Sequence, residues 1–126
     1  MESKSNVIYS YSRRQAIEDG VLIDITNEAK ELGFKINTVV TSNLFYKYIV
    51  PKNNIVAGGQ STAGRLHDLI VLALFAAKSS MNTDQVKFPI SFLMDDNKKE
   101  TVEVIAHIGP GDKGEPVLSL MLVEDL

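Results

Sequence analysis

Three arginines stand where helices more often place acids. Arg13 and Arg14 follow Ser12, which fits an N-cap, so they fall in the first turn of a short predicted helix. Arg65 falls in the first turn of a longer one, after a stretch carrying Gly58, Gly59, Ser61, Thr62 and Gly64. The N-terminal end of a helix carries about half a unit of positive charge, so a cation there is mildly unfavourable. Backbone amides, a small loop, hydroxyls and a guanidinium fork together suit a phosphate. A second glycine-rich run, Gly109-Pro110-Gly111-Asp112-Lys113-Gly114-Glu115-Pro116, would let backbone amides approach a ligand closely. Each feature also has a plainer explanation. The run reads equally well as a wide polar hairpin loop. Arg14 and Arg65 could pair with carboxylates such as Glu18, Asp68, Glu124 or Asp125, pairs worth at most about 1 kcal/mol when exposed.

Other chemistry finds little support. No phosphate-binding GxxxxGK[ST], dinucleotide GxGxxG, zinc HExxH or hydrolase GxSxG motif occurs. His67 and His107 lie on different elements without metal-ligand spacing, and an ordinary histidine pKa does not make a catalyst. Asp95 and Asp96 are adjacent in a turn, where aspartate is expected for backbone reasons. A paired-carboxylate mechanism needs two groups held across a substrate. The chain has no cysteine, which excludes disulfides, thiol catalysis and cysteine metal sites and fits a reducing cytoplasm. These residues predict no enzyme, no metal and no cofactor. Tyr9, Tyr11, Phe45, Tyr46, Tyr48 and Phe88 could stack a base, although those at helical spacing read better as core.

The elements that must hold these residues follow from periodicity. Val7 to Tyr11 is β-prone. Helices are predicted over Arg13 to Asp19, closed by Gly20, and over Asn27 to Leu32, with Thr26 as cap and Gly33 as stop. Val21 to Ile25 is a brief apolar stretch, and Phe34 to Val40 reads as either extended or loop. Thr41 fits an N-cap for a helix to about Ile49, with Leu44, Phe45, Tyr48 and Ile49 at helical spacing and Pro51 at its end. Residues 52 to 62 read as a polar loop. Ala63 to Ser79 is the strongest helix, with Leu66, Leu69, Ile70, Ala73, Leu74 and Ala77 in one stripe and Val71, Leu72, Phe75 and Ala76 filling much of the rest. A helix apolar nearly all round is buried on nearly all sides, so a second subunit, or else the remaining short helices, is expected to cover part of it.

The last third reads as antiparallel β. Val86 to Met94 is a strand that Pro89 marks as an edge or a bulge. Thr101 to Ile108 alternates Val102, Val104 and Ala106 against Glu103, Ile105 and His107. Pro116 to Val123 alternates Leu118, Leu120 and Leu122 against Val117, Ser119, Met121 and Val123. The predicted architecture is α+β, with short N-terminal helices and one long buried helix packed on a small antiparallel β-meander.

With 126 residues, 44% hydrophobic and 23% charged, the chain has the profile of one globular domain, residues 1–126. A net charge of -3 argues against a dedicated DNA-binding surface and is far too small for a DNA mimic. The longest apolar run, Leu69 to Ala77, falls well short of the ~20 residues that span a bilayer. The polar start, Met1 to Asn6, lacks a signal-peptide core. A cytoplasmic protein without a membrane partner is expected.

Three blocks carry a family resemblance. Tyr9-Ser10-Tyr11-Ser12-Arg13-Arg14-Gln15-Ala16-Ile17-Glu18-Asp19-Gly20-Val21-Leu22-Ile23-Asp24 resembles small plasmid and phage proteins that begin Y-S-Y-[ST]-R-x-x-A-x-x-[DE]-G-[VL]-L-x-D. This chain has one extra arginine there, or a choice of register. Gly64-Arg65-Leu66-His67-Asp68 matches the family's opening to a long helix, with histidine at position 67 where tryptophan is frequent. Gly109 to Val117 matches its closing G-P-G-D-x-G-E-P-V. The blocks occur in order across nearly the whole chain. Small phage proteins of this general kind include the Thoeris anti-defence sponges. These bind the cyclic ADP-ribose-type signal made by a bacterial TIR-domain enzyme; related members take up cyclic oligonucleotides, and they assemble from dimers.

The resemblance implies a phage or prophage immune-evasion protein that sequesters a cyclic nucleotide in the host cytoplasm without cleaving it, built as a homo-oligomer. In that reading Arg14 and Arg65 hold phosphates, Arg13 belongs to the same ligand-binding set, Tyr11 stacks or bonds a ribose, and Asp68 orients Arg65 or accepts from a ribose. Asp112 and Lys113 lie on the loop that closes over the ligand. Two other classes stay open: an inhibitor that binds a host defence protein directly, through a groove or the Val86 to Met94 edge, and an enzyme that cleaves the signal.

Overall fold

The structure, a computed structural model, describes residues 12–52, 59–79, 84–95 and 98–126. Tyr9 and Tyr11, with the predicted Val7 to Tyr11 segment, lie outside the described residues. So do Gly58 in the predicted loop and the turn residues Asp96 and Asn97.

Helix α1 (Arg13–Glu18) starts at Ser12, whose hydroxyl accepts from the Gln15 amide at 3.0 Å. Gly20, at φ 80°, lets the chain reverse into β1 (Leu22–Asp24). Helix α2 spans Thr26–Glu31, one residue earlier than expected. Thr26 does not cap it. Asp24 Oδ1 instead accepts from the Thr26 amide at 3.0 Å and from its hydroxyl at 2.6 Å. Thr26 Oγ1 in turn accepts from the Thr38 amide at 3.0 Å, tying α2 to the next strand.

That strand, β2 (Asn37–Thr41), lies in the stretch that read as either extended or loop. Thr38, Val39 and Val40 are all fully buried, so β2 shows no alternation to read. Thr41 caps α3 (Ser42–Leu44), as its type and position predict, and the helix widens into a π-helical turn over Phe45–Ile49.

Helix α4 (Thr62–Ser79) packs on β3 (Gln85–Asp95) and β4 (Lys98–Pro110). Strand β5 (Pro116–Leu122) completes the expected meander, β3–β4–β5, all antiparallel. The sheet is nevertheless larger than three strands. Its order is β1-β2-β5-β4-β3, with β2 parallel to β5 and antiparallel to β1. The architecture is α+β. Strand β3 is an edge of the described sheet, Pro89 is exposed on it, and its pairing with β4 shifts register between Leu93 and Asp95.

The core lies between α4 and one sheet face. Val104 and Ala106 of β4 and Leu118, Leu120 and Leu122 of β5 point into it, meeting Leu66, Leu69, Ile70 and Ala73 of α4. Val39, Ile105 and Val117 are buried outside that cluster, at strand positions of the opposite parity and so on the other face. Helix α4 is not covered on nearly all sides. Leu72 is 38% and Phe75 63% exposed, because a sheet covers only one stripe of a helix. No helix of the described residues is long and apolar enough to cross a membrane.

Candidate functional site

Two of the sequence blocks meet at one contact. The Asp112 carboxylate reaches the start of α1, where Oδ1 accepts from the Arg13 amide at 2.8 Å and Oδ2 from the Arg14 amide at 3.1 Å. These bonds hold the Asp112 carboxyl below its usual range. Ser12 takes the next amide, Gln15, and the Ala16 amide makes the first intrahelical bond, to the Ser12 carbonyl. The first-turn amides of α1 are therefore filled from within the protein. The position where a phosphate was expected on the backbone holds a carboxylate of the same chain.

The turn that delivers Asp112 is tightly built. The Gly111 amide donates to the Glu115 carbonyl at 2.6 Å, and the Lys113 amide to Glu115 Oε1 at 2.9 Å. A Cβ on Gly111 would lie 2.4 Å from Glu115 Oε2 and 2.8 Å from Val117 Cγ2. Gly114 sits at φ 81°, a conformation that side chains rarely adopt. These glycines thus have packing and backbone reasons to be there.

With the amides taken, any anion at this corner must be held by side chains. The Arg14 side chain is 85% exposed and lies 3.8 Å from Glu18, the weak i,i+4 pair that the sequence allows. Arg13 differs. Its Nε and Nη1 are buried without a hydrogen-bond partner among the described residues. A buried donor left unmade costs about 1–3 kcal/mol, more when charged. Lys113 is exposed beside Asp112 on the loop. Tyr11, next to Ser12 in the chain, lies outside the described residues.

Arg65 is elsewhere and otherwise engaged. It is only 4% exposed. Its Nη1 donates to the Tyr48 carbonyl at 2.7 Å, Nη2 to the Leu93 carbonyl, and Nε to Gln60 Oε1 at 3.2 Å. The guanidinium carbon sits 5.5 Å from the Phe92 ring centroid, and burial lowers its pKa from the ordinary value. Ser61 Oγ takes the Gly64 amide at 2.9 Å. Arg65 thus joins α4, the π turn and β3 into one unit. Leu93 pairs with Lys99 at one end of β4, whereas the Asp112 loop follows Pro110 at the other, roughly 35 Å along the strand. One protomer does not bring Arg65 together with Arg13, Arg14, Asp112 and Lys113. Asp68 does not orient Arg65 either; its carboxylate lies 3.6 Å from His67 Nδ1, and both side chains are exposed. His107 stands on β4 opposite Ser119. Among the described residues, no group of three or more His, Cys, Asp or Glu is placed to hold a metal ion.

A separate groove of about 500 Å³ opens between β1, α2 and the first turns of α4. Ile23, Ile25, Leu32, Phe45, Leu66 and Ile70 form its apolar lining, and Asp24, Glu28, Glu31 and His67 its polar rim. Sequence reasoning did not single out these acids. Glu28 and Glu31 are at i,i+3 and share a face of α2, but their partnership with α4 is a tertiary fact. The role of Asp112 as a cap was equally hidden, since it acts on a helix 98 and 99 positions away.

Neither a curated protein nor a solved structure matches the chain. A family pattern described as a family of unknown function does, over residues 1–126. The chain with this Arg13–Asp112 corner and this five-stranded sheet belongs to the family DUF6573.

Proposed function

We propose that this protein is a phage or prophage anti-defence protein that binds and sequesters a cyclic ADP-ribose-type or cyclic oligonucleotide signal, without cleaving it, in the bacterial cytoplasm. The ligand class comes from the resemblance of the three sequence blocks. What geometry adds is Arg13, whose Nε and Nη1 are buried with no hydrogen-bond partner among the described residues. An anion that accepts from those donors removes a standing cost, so binding is favoured where an already paired arginine would gain little. Arg14 and Lys113 contribute further positive charge from the rim, and Asp112 positions the loop. Arg65 is not part of this site; it supports the fold. The protein works as a homo-oligomer, whose second subunit covers the exposed Leu72 and Phe75 of α4.

The test is a thermal-shift screen of the purified chain against cyclic ADP-ribose isomers, cyclic di- and trinucleotides, and linear ADP-ribose. A ligand at 100 times its dissociation constant adds about 2.7 kcal/mol. One cyclic species should raise the melting temperature, and Arg13→Ala should weaken its binding at least tenfold. The nucleotide should be recovered at unchanged mass after the protein is heated. A changed mass would mean cleavage, and no shift across the set would sink the reading.

A second reading, an inhibitor of a host defence protein, is favoured by one observation, the exposed Leu72 and Phe75 on α4. It predicts nucleotide-independent capture of a single host protein, lost in Leu72→Glu and Phe75→Glu.

A further inference from the structure

The groove between α2 and α4 has a chemistry opposite to that of the Arg13 corner. Its volume, about 500 Å³, lies in the range of small-ligand sites. Its floor is aliphatic and aromatic, from Ile25, Leu32, Phe45, Leu66 and Ile70. Charge at its rim is one-sided. Glu28 and Glu31 project from the same face of α2, with neither an ion pair nor a hydrogen bond to another described residue. Asp24 adds a third carboxylate, already accepting from Thr26. No lysine or arginine lines the groove among the described residues. The one basic group, His67, already faces Asp68. Such a rim focuses negative potential over an apolar floor. An anion is repelled there, and a purely apolar molecule leaves both carboxylates without a counter-charge.

We infer that this groove is a binding site for a small amphiphilic cation, an apolar or aromatic body carrying one amine or guanidinium. The body displaces water from the floor beside Phe45 and Leu66. The cation stays at the mouth between Glu28 and Glu31, where it keeps part of its hydration. The inference is independent of the proposed nucleotide site, with which the groove shares no residue.

Three matched probes test it on the full chain by calorimetry: 4-phenylbutylamine, 4-phenylbutanol and 4-phenylbutyrate. The amine should bind at least tenfold more tightly than the alcohol, and the carboxylate not measurably. Added salt should weaken the amine and leave the alcohol unchanged. Glu28→Gln with Glu31→Gln should remove the amine's advantage. Both substitutions are on exposed positions, so the melting temperature reports whether the fold is kept. Ala63→Trp, at an exposed lining position of α4, should block all binding by filling the groove. Equal binding of amine and alcohol would overturn the inference in favour of a neutral apolar ligand. Self-association abolished by Ala63→Trp, without amine binding, would assign the groove to a second copy and overturn it too. Amine binding that survives both sets of substitutions would place the site elsewhere.

Discussion

Arg65 shows how one side chain can look like a ligand site and act as a structural joint. Its fork satisfies the carbonyls of Tyr48 and Leu93, which lie on different elements, and it rests against Phe92. Arg65→Ala strands both carbonyls, so it should cost about 3 kcal/mol in urea unfolding. Arg65→Lys should recover only part, because an ammonium does not reproduce the planar fork. A variant of unchanged stability that has lost ligand binding would return Arg65 to the site. Asp112 makes a pH prediction. Its folded pKa lies below the unfolded value of ~3.9. Its stabilisation is therefore fully present above the unfolded value and is lost as pH falls through the folded one. Acid unfolding followed by circular dichroism should show this contribution, and Asp112→Asn should lack it. Tyr48 behaves in the reverse sense. Burial, and then its hydrogen bond to Glu100, push its pKa up to about 12. Stability should fall between pH 10 and 12 as the phenol is forced to ionise, and Tyr48→Phe should abolish that alkaline loss.

At the level of elements, the turn between β4 and β5 and the start of α1 form one cooperative unit. The turn exists to carry Asp112 to two amides, and Gly111 is where it is most constrained. Gly111→Ala drives a methyl into the Glu115 carboxylate, which holds the Lys113 amide, and into Val117, which is 3% exposed. Accommodating it should cost about 1–3 kcal/mol. Local release has its own signature. The amide resonances of Arg13 and Arg14 should shift in the variant, as they should in Asp112→Asn, while those of α4 stay in place. Unmoved Arg13 and Arg14 amides would mean that the turn and the helix are not coupled.

For the whole molecule, one sheet separates two unequal burials. The face under α4 carries the main cluster, and the other buries Val39, Ile105 and Val117. The sheet does not reach the outer stripe of α4, where Leu72 is 38% and Phe75 63% exposed. Leaving these two side chains partly exposed, at i,i+3 on this helix, forfeits only part of the roughly 1.5–3 kcal/mol that full burial of each is worth. The proposed homo-oligomer removes that loss. Light scattering should give at least twice the single-chain mass, and Leu72→Glu with Phe75→Glu should reduce it to one chain. A single-chain mass at every concentration would leave the stripe to a different partner.

Sequence alone determined the parts governed by local period and local capping. Alternation in β4 and β5 sorted the residues of each strand onto its two faces, because strand side chains alternate, although Val123 falls in the turn after β5 and the second face also buries Ile105 and Val117. Ser12 and Thr41 were legible as caps because a cap acts within four residues, and Pro89 announced an edge because proline cannot donate to a ladder. Tertiary structure decided the rest. Strand β2 was ambiguous because burial on both sides erases its period. The parallel pairing of β2 with β5 joins residues some 80 positions apart, with no local trace. The arginines are the clearest case. Their types and helix positions were the same on paper, yet the fold turns Arg65 inward onto carbonyls, leaves Arg14 in solvent and buries two donors of Arg13 with no partner among the described residues. Which of these a guanidinium does depends on acceptors that other segments bring, and only the folded chain supplies them.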